Sequence, residues 1–125
     1  MNFLPFLLAT AQAAAPADLP PGTPIGPETV ITYASNGNLR EWTRDSAQAD
    51  TLYVRDRTQR WYRVELTGRC PSLYRNLDTL AYTTDPNGTF DRFSRLRLTS
   101  RPFQACGVKS IRESTAPADY PRTRP

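Results

Sequence analysis

The chain has 125 residues, with 16 Lys and Arg against 12 Asp and Glu, two Cys, 12 Pro and no His, a size that suits one domain. Lacking imidazole, it can build no Ser-His or Cys-His nucleophile pair and no His-ligated metal site. No cofactor motif stands out either, so no enzyme class gains support. The net charge of +4 would suit an anionic partner, although 15 of the 16 bases are Arg, a bias that GC-rich codon usage also produces, and net charge speaks to solubility before it speaks to a site.

Residues 1–13, MNFLPFLLATAQA, are apolar over 3–9 and end in Ala11-Gln12-Ala13, the small-x-small pattern of a signal-peptidase site. The expectation is a signal peptide cleaved before Ala14 and an exported chain, periplasmic or secreted. The apolar run is too short to span a bilayer, and its leading residues carry no Lys or Arg. Residues 14–27 hold five Pro and two Gly, and residues 116–125 hold three Pro. The first stretch reads as a disordered linker and the second as a disordered tail. The compact domain is then 28–115, which keeps the whole charge of +4.

Inside that domain the signals are strands and hairpins. Asn36-Gly37 lies between TVITYAS and NLREWTRD, and Asn-Gly tolerates the positive φ of a type I′ turn. A two-residue loop there pairs Ile31 with Trp42 and Tyr33 with Arg40. TLYVRD and RWYRVELT form the next pair. Leu52 and Val54 share a face with Tyr62, Val64 and Leu66 only if the loop is odd in length. With Arg57, Thr58 and Gln59 as the loop, Val54 meets Tyr62 and Leu52 meets Val64. The other face then sets Arg55 beside Trp61 and Tyr53 beside Arg63.

CPSLYRNL, with Pro71 early and Leu73 and Leu77 four apart, reads as one short helical turn. Asp85-Pro86-Asn87-Gly88 reads as a type I turn with a bulge at the left-handed Gly. It joins TLAYT to TFDRFSRLRLTS and gathers Leu80, Tyr82, Phe90, Leu96 and Leu98 on one face. GVKSIRE is the last strand. Together these predict a mainly β fold, a small antiparallel barrel or sandwich of six or seven short strands with one helical turn.

Cys70 and Cys106 are the only cysteines. In an exported small domain such a pair reads first as a disulfide. It would close a loop of 37 residues, for which the chain-entropy model gives roughly 4 kcal/mol. A redox-active pair would need the C-x-x-C spacing that is missing here.

WYRVELTGRCPSL, TFDRFSRL and CGVKSI together resemble a family of small exported proteins of Gram-negative bacteria whose function is itself unknown. The resemblance covers about residues 39–112. It implies export, a disulfide and a compact β-rich domain, and it supplies no catalytic residue. Some members look like lipoproteins, and this chain departs from them in having no lipobox Cys.

Chemistry has few footholds. The carboxylates of Glu41, Asp56 and Asp91 each neighbour an Arg, which holds them ionised rather than raising a general-acid pKa. Asp85, Asn87 and Asp91 suggest a calcium loop, but Pro86 and the missing downstream Glu break that pattern, so no metal site is expected. Asn87-Gly88-Thr89 spells a glycosylation sequon. The leading ligand surface is the outer face of the second hairpin, with Tyr53, Arg55, Arg60, Trp61 and Arg63, and with Arg57 at its turn. Basic and aromatic side chains interleaved on a small barrel suit an anionic envelope ligand, an acidic glycan or a single strand of nucleic acid. The same pairs also stabilise a solvated sheet with no ligand at all, which leaves a protein-interaction or structural role in the envelope as the alternative.

Overall fold

The computed structural model describes residues 19–45, 47, 48, 50–67, 80–99 and 105–118. Within them the chain forms β1 (Pro24–Glu28), a 3-10 turn (Ala34–Asn36), β2 (Leu39–Arg44), β3 (Thr51–Asp56), β4 (Trp61–Leu66), β5 (Leu80–Tyr82), β6 (Arg95–Leu98) and β7 (Cys106–Ser114). All pairings are antiparallel, in the order β2-β3-β4-β7-β6-β5, with β1 also paired to β7. The sheet curls into a nearly closed barrel, so the mainly β expectation holds. The expected signal peptide and the helical turn of CPSLYRNL lie outside the described residues, as does Cys70. Cys106 is buried on β7 opposite Leu96.

The β3–β4 hairpin follows from its sequence pattern. Leu52 pairs with Val64, Val54 with Tyr62, Tyr53 with Arg63 and Arg55 with Trp61, the register that the odd loop and the period-2 pattern demand. Leu52, Val54, Tyr62, Val64 and Leu66 face inward, against Val108 and Ile111 of β7. Val108 and Ile111 lie three apart, yet both are buried. A register shift between β4 and β7 at this point adds one residue to β7 and resets its alternation.

The third turn also forms as expected. Gly88 adopts φ 83°, its N–H donates to the Asp85 carbonyl at 2.9 Å, and Asp85 Oδ1 accepts from the N–H groups of Asn87 and Thr89 at 2.8 and 2.9 Å. Beyond it the chain does not continue as one strand. Phe90 exchanges two backbone hydrogen bonds with Ile31 (2.9 and 3.0 Å), and Ser94 N–H closes a further turn onto the Asp91 carbonyl at 2.9 Å. Only then does β6 pair with β5. Leu80, Tyr82, Phe90 and Leu96 still meet in or against the core, with the Tyr82 and Phe90 rings edge to face at 5.8 Å.

Two expectations are corrected. Asn36 and Gly37 do not turn a type I′ hairpin. Tyr33 (φ 59°) and Gly37 (φ 85°) are left-handed and bracket the 3-10 turn, and Asn38 Nδ2 donates to the Thr32 carbonyl at 2.7 Å. Ile31 bridges Phe90 instead of Trp42, and Trp42 pairs with Val54 of β3. Each apolar partner thereby reaches the common core, which a local hairpin would not achieve.

The second correction concerns the Pro-rich stretch read as a linker. Its residues 24–27 belong to β1, on the edge of β7. Gly22 N–H donates to the Ala116 carbonyl at 3.0 Å and Thr115 N–H to the Thr23 carbonyl at 2.9 Å, so the first residues of the expected tail are docked as well. Proline is compatible with an edge strand because the missing N–H is not needed there, and its fixed φ lowers the entropy lost on ordering.

Candidate ligand-binding site

The face expected to carry the ligand is largely closed. Tyr53 is 2% and Trp61 7% exposed: Gly22 lies against the Tyr53 ring, and Arg55 lies over Trp61. A Cβ on Gly22 would run into the Tyr53 ring, and the left-handed φ of 74° at Gly22 reinforces the need for glycine. Tyr53 OH donates to Asp45 Oδ1 at 3.1 Å and accepts from Arg63 Nη1 at 2.7 Å. Burial above all, together with Asp45, raises the Tyr53 phenol above its ordinary pKa.

The two arginines of this face are committed to protein partners. Arg63 stacks on Tyr53 at 5.8 Å and pairs with Glu65 at 3.1 Å. Burial opposes its charge, but the Glu65 hydrogen bond and the surrounding acids outweigh that and raise its pKa. Arg55 lies over Trp61 at 6.0 Å, with Nη2 on Glu41 at 2.9 Å and Nη1 on Gln59 Oε1 at 2.9 Å. Tyr53, Trp61 and Arg63 therefore form packing, not a free surface. Glu41 across the strand neutralises Arg55, and Glu65 two residues on in β4 neutralises Arg63.

Arg60 is exposed and lines a cleft of about 430 Å³ with Arg57, Tyr62, Glu28, Asp56 and Glu113. Three carboxylates face two guanidinium groups there, so this cleft has no anion preference. Asp56 is fully committed to the turn that follows it. Its Oδ1 accepts from Thr58 N–H (2.9 Å), Thr58 Oγ1 (2.7 Å) and Arg60 N–H (3.0 Å), and its Oδ2 from Tyr62 OH (3.2 Å). Burial pushes its pKa up, but these hydrogen bonds outweigh it and hold the carboxyl below its ordinary value. It is an acceptor kept ionised, the reverse of a general acid. Burial and the facing Asp56 raise the Tyr62 phenol.

On the opposite side of the same turn lies a cavity of about 140 Å³ lined by Arg40, Arg55, Arg57, Asp56 and Gln59. Three arginines and one aspartate line it, and the aspartate oxygens are already bonded within the turn, so its described lining is net positive. Arg40 arrives through a β-bulge. Leu39 pairs with Asp56 and Glu41 with Arg55, so Arg40 is the extra residue that a bulge re-aims. Gln59 is held at φ 76°, a conformation that costs a non-Gly residue about 1–2 kcal/mol.

Of the expected candidates, only Arg55 lines this cavity, together with the turn residue Arg57. Arg40 and Gln59 were missed. The Arg57–Gln59 loop itself was legible, but nothing in NLREWTRD marks where a bulge falls. Asp85 and Asp91, weighed above as calcium ligands, serve turns: Asp91 Oδ1 accepts from Phe93 N–H at 2.9 Å. Among the described residues no three Asp, Glu or Cys gather at metal-binding distance, and no helix is long and apolar enough to cross a membrane. Comparison with protein-family models, curated proteins and solved structures gives no match.

Proposed function

We propose that the chain is an exported, non-enzymatic β-barrel module that binds an anionic ligand of the cell envelope, and that the ligand's charge sits at the turn end of β3 and β4. The observation that carries this reading is that Arg40 and Arg57 line one hollow beside the Glu41-paired Arg55, and that its one described carboxylate, Asp56, is spent on its own turn. Guanidinium groups favour carboxylate or phosphate oxygens, which their planar fork of donors can bind bidentately. A strained left-handed Gln59 that braces Arg55 supports the same location, since strain of this kind collects at ligand sites.

The test is retention on immobilised polyanions at stepped salt, comparing the chain with an Arg40→Gln/Arg57→Gln double variant. Arg55 is left alone because it also ties β2 to β3 through Glu41. Selective retention that weakens with salt and drops about tenfold or more in the variant is the expected result. Equal retention of both proteins would remove the site.

Export and a Cys70–Cys106 bridge belong to this reading and rest on the leader-like residues 1–13 and the even cysteine count. Mass spectrometry of the exported chain should find no free thiol. A protein-interaction role is the second reading, favoured by Phe93. This side chain is 81% exposed at the tip of its turn with Arg92 stacked on it at 5.6 Å. Under that reading polyanions are not retained, and Phe93→Ala abolishes crosslinking to an envelope protein.

A further inference from the structure

Among the described residues β2 and β5 are the two ends of the strand order and do not pair with each other. Between them lies a groove of about 320 Å³ lined by Leu39, Trp42, Val54, Leu80 and Tyr82, with Arg40 and Glu41 at its margin. Its floor is the core itself, since Val54 is a core residue and Leu39, Trp42, Leu80 and Tyr82 pack against the same cluster. The volume lies at the low end of the roughly 300–1,000 Å³ of ligand pockets, enough for one slender chain. Arg40 lines both this apolar groove and the cationic hollow. Glu41, the one acid among the described residues of the groove, is paired with Arg55, so the charge left there is that of Arg40.

From this juxtaposition we infer that the ligand is a single-chain amphiphile, an acyl tail lying in the seam between β2 and β5 with its anionic head on Arg40 and Arg57. The inference rests on the anion-binding reading above and narrows it to a fatty-acid-type ligand. An apolar wall stabilises the tail by removing it from water. The bulge at Arg40 supplies the one contact that distinguishes an anionic head from a neutral or cationic one. A peptide strand added to the free edges would need no cation at one end of the groove.

The probe is laurate, titrated calorimetrically against the full chain, with dodecyltrimethylammonium and acetate as controls. Laurate should bind, acetate should not, and the cationic amphiphile should bind about tenfold more weakly. Arg40→Gln should weaken laurate about tenfold and bring the two amphiphiles together. Leu80→Glu, on one wall, and Leu39→Glu, on the other, should each abolish laurate binding while circular dichroism stays native. Two walls are tested because either variant alone could disturb the sheet. As a positional readout, 12-bromododecanoate should quench Trp42, and in Trp42→Phe the remaining emission from the buried Trp61 should persist.

Laurate binding that survives both wall variants, or no laurate binding at all, overturns the inference. If polyanion retention still depends on Arg40 and Arg57 in that case, the anion-binding reading stands without it. Equal affinity for laurate and the cationic amphiphile likewise overturns the inference, and the anion-binding reading falls with it only if polyanion retention is also unchanged in Arg40→Gln/Arg57→Gln.

Discussion

Two turns of this barrel, at residues 56–60 and 85–89, are built from the same hydrogen bonds. In each, an Asp carbonyl accepts from the N–H three residues on (3.1 Å from Gln59, 2.9 Å from Gly88), and its own N–H donates to the carbonyl four residues on (2.9 and 3.0 Å). Each Asp Oδ1 also accepts from the backbone N–H groups two and four residues on. The left-handed position is where they differ: Gly88 fills it in one turn and Gln59 in the other. Glycine adopts that conformation at little cost, whereas glutamine is strained there. The strained turn is the one whose fourth side chain reaches Arg55 at 2.9 Å and whose Asp carries a second anchor, Tyr62 OH. The relaxed turn is only a connection, while the strained one also builds the wall of a hollow. Sequence economy alone would have chosen Gly twice.

The largest test of this contrast removes the two aspartates. Asp56→Ala strands a buried tyrosine hydroxyl and several turn donors and should cost about 3 kcal/mol. That corresponds to a fall in Tm of at least about 12 °C for a domain of this size. Asp85→Ala, at a part-exposed turn, should cost about 1 kcal/mol, and thermal melts of the two variants measure the difference. Equal losses would mean that Tyr62 adds nothing to the first turn.

A comparison across pH sharpens it. Asp56 ionises below its ordinary value in the folded state, so the unfolded chain binds the proton first as pH falls. Its contribution is complete above the unfolded value near 3.8 and is lost as pH drops through the lower folded value. Asp56→Asn should therefore flatten the loss of stability below about pH 4, as read by urea unfolding between pH 7 and pH 2.5.

Exchanging the left-handed residues tests the strain directly, with the smallest effect at Gln59. Gly88→Ala should destabilise by about 1–2 kcal/mol, because φ is 83° and the new Cβ meets Ser35 Oγ. Gln59→Gly should leave stability unchanged or raise it by up to about 1 kcal/mol, strain relief offsetting the lost bond to Arg55. It should also weaken retention on polyanions, because Arg55 is no longer braced. A Gln59→Gly chain that bound as well as the original would show that the strain serves no ligand.

The two turns also mark how far the sequence could be read. Asp-Pro-Asn-Gly names its turn through residue chemistry, and the loop of Arg57, Thr58 and Gln59 followed from the alternation of Leu52, Val54, Tyr62, Val64 and Leu66 without any glycine to announce it. The partner of β2 was not legible, since an Asn-Gly pair is a strong local signal that here yields to the claims of β3 on Trp42 and of Phe90 on Ile31. The candidate site suffered likewise. Arg55, Trp61, Tyr53 and Arg63 were correctly paired across strands, yet being neighbours on a face says nothing about what covers that face.

What the sequence determined by itself is therefore local: the β class, the register of β3 against β4, the turn at Asp85 and the absence of imidazole chemistry. These depend on a few residues whose φ preferences and period-2 burial act over one hairpin. The tertiary structure alone decided that a proline-rich segment would become β1 with Gly22 against Tyr53, that Arg40 would be the bulged residue, and that β2 and β5 would end the strand order of the described residues beside a cationic hollow. Each of those outcomes depends on which distant edges compete for a partner and which faces remain to be buried, and that competition is resolved only once the whole barrel has closed around its core.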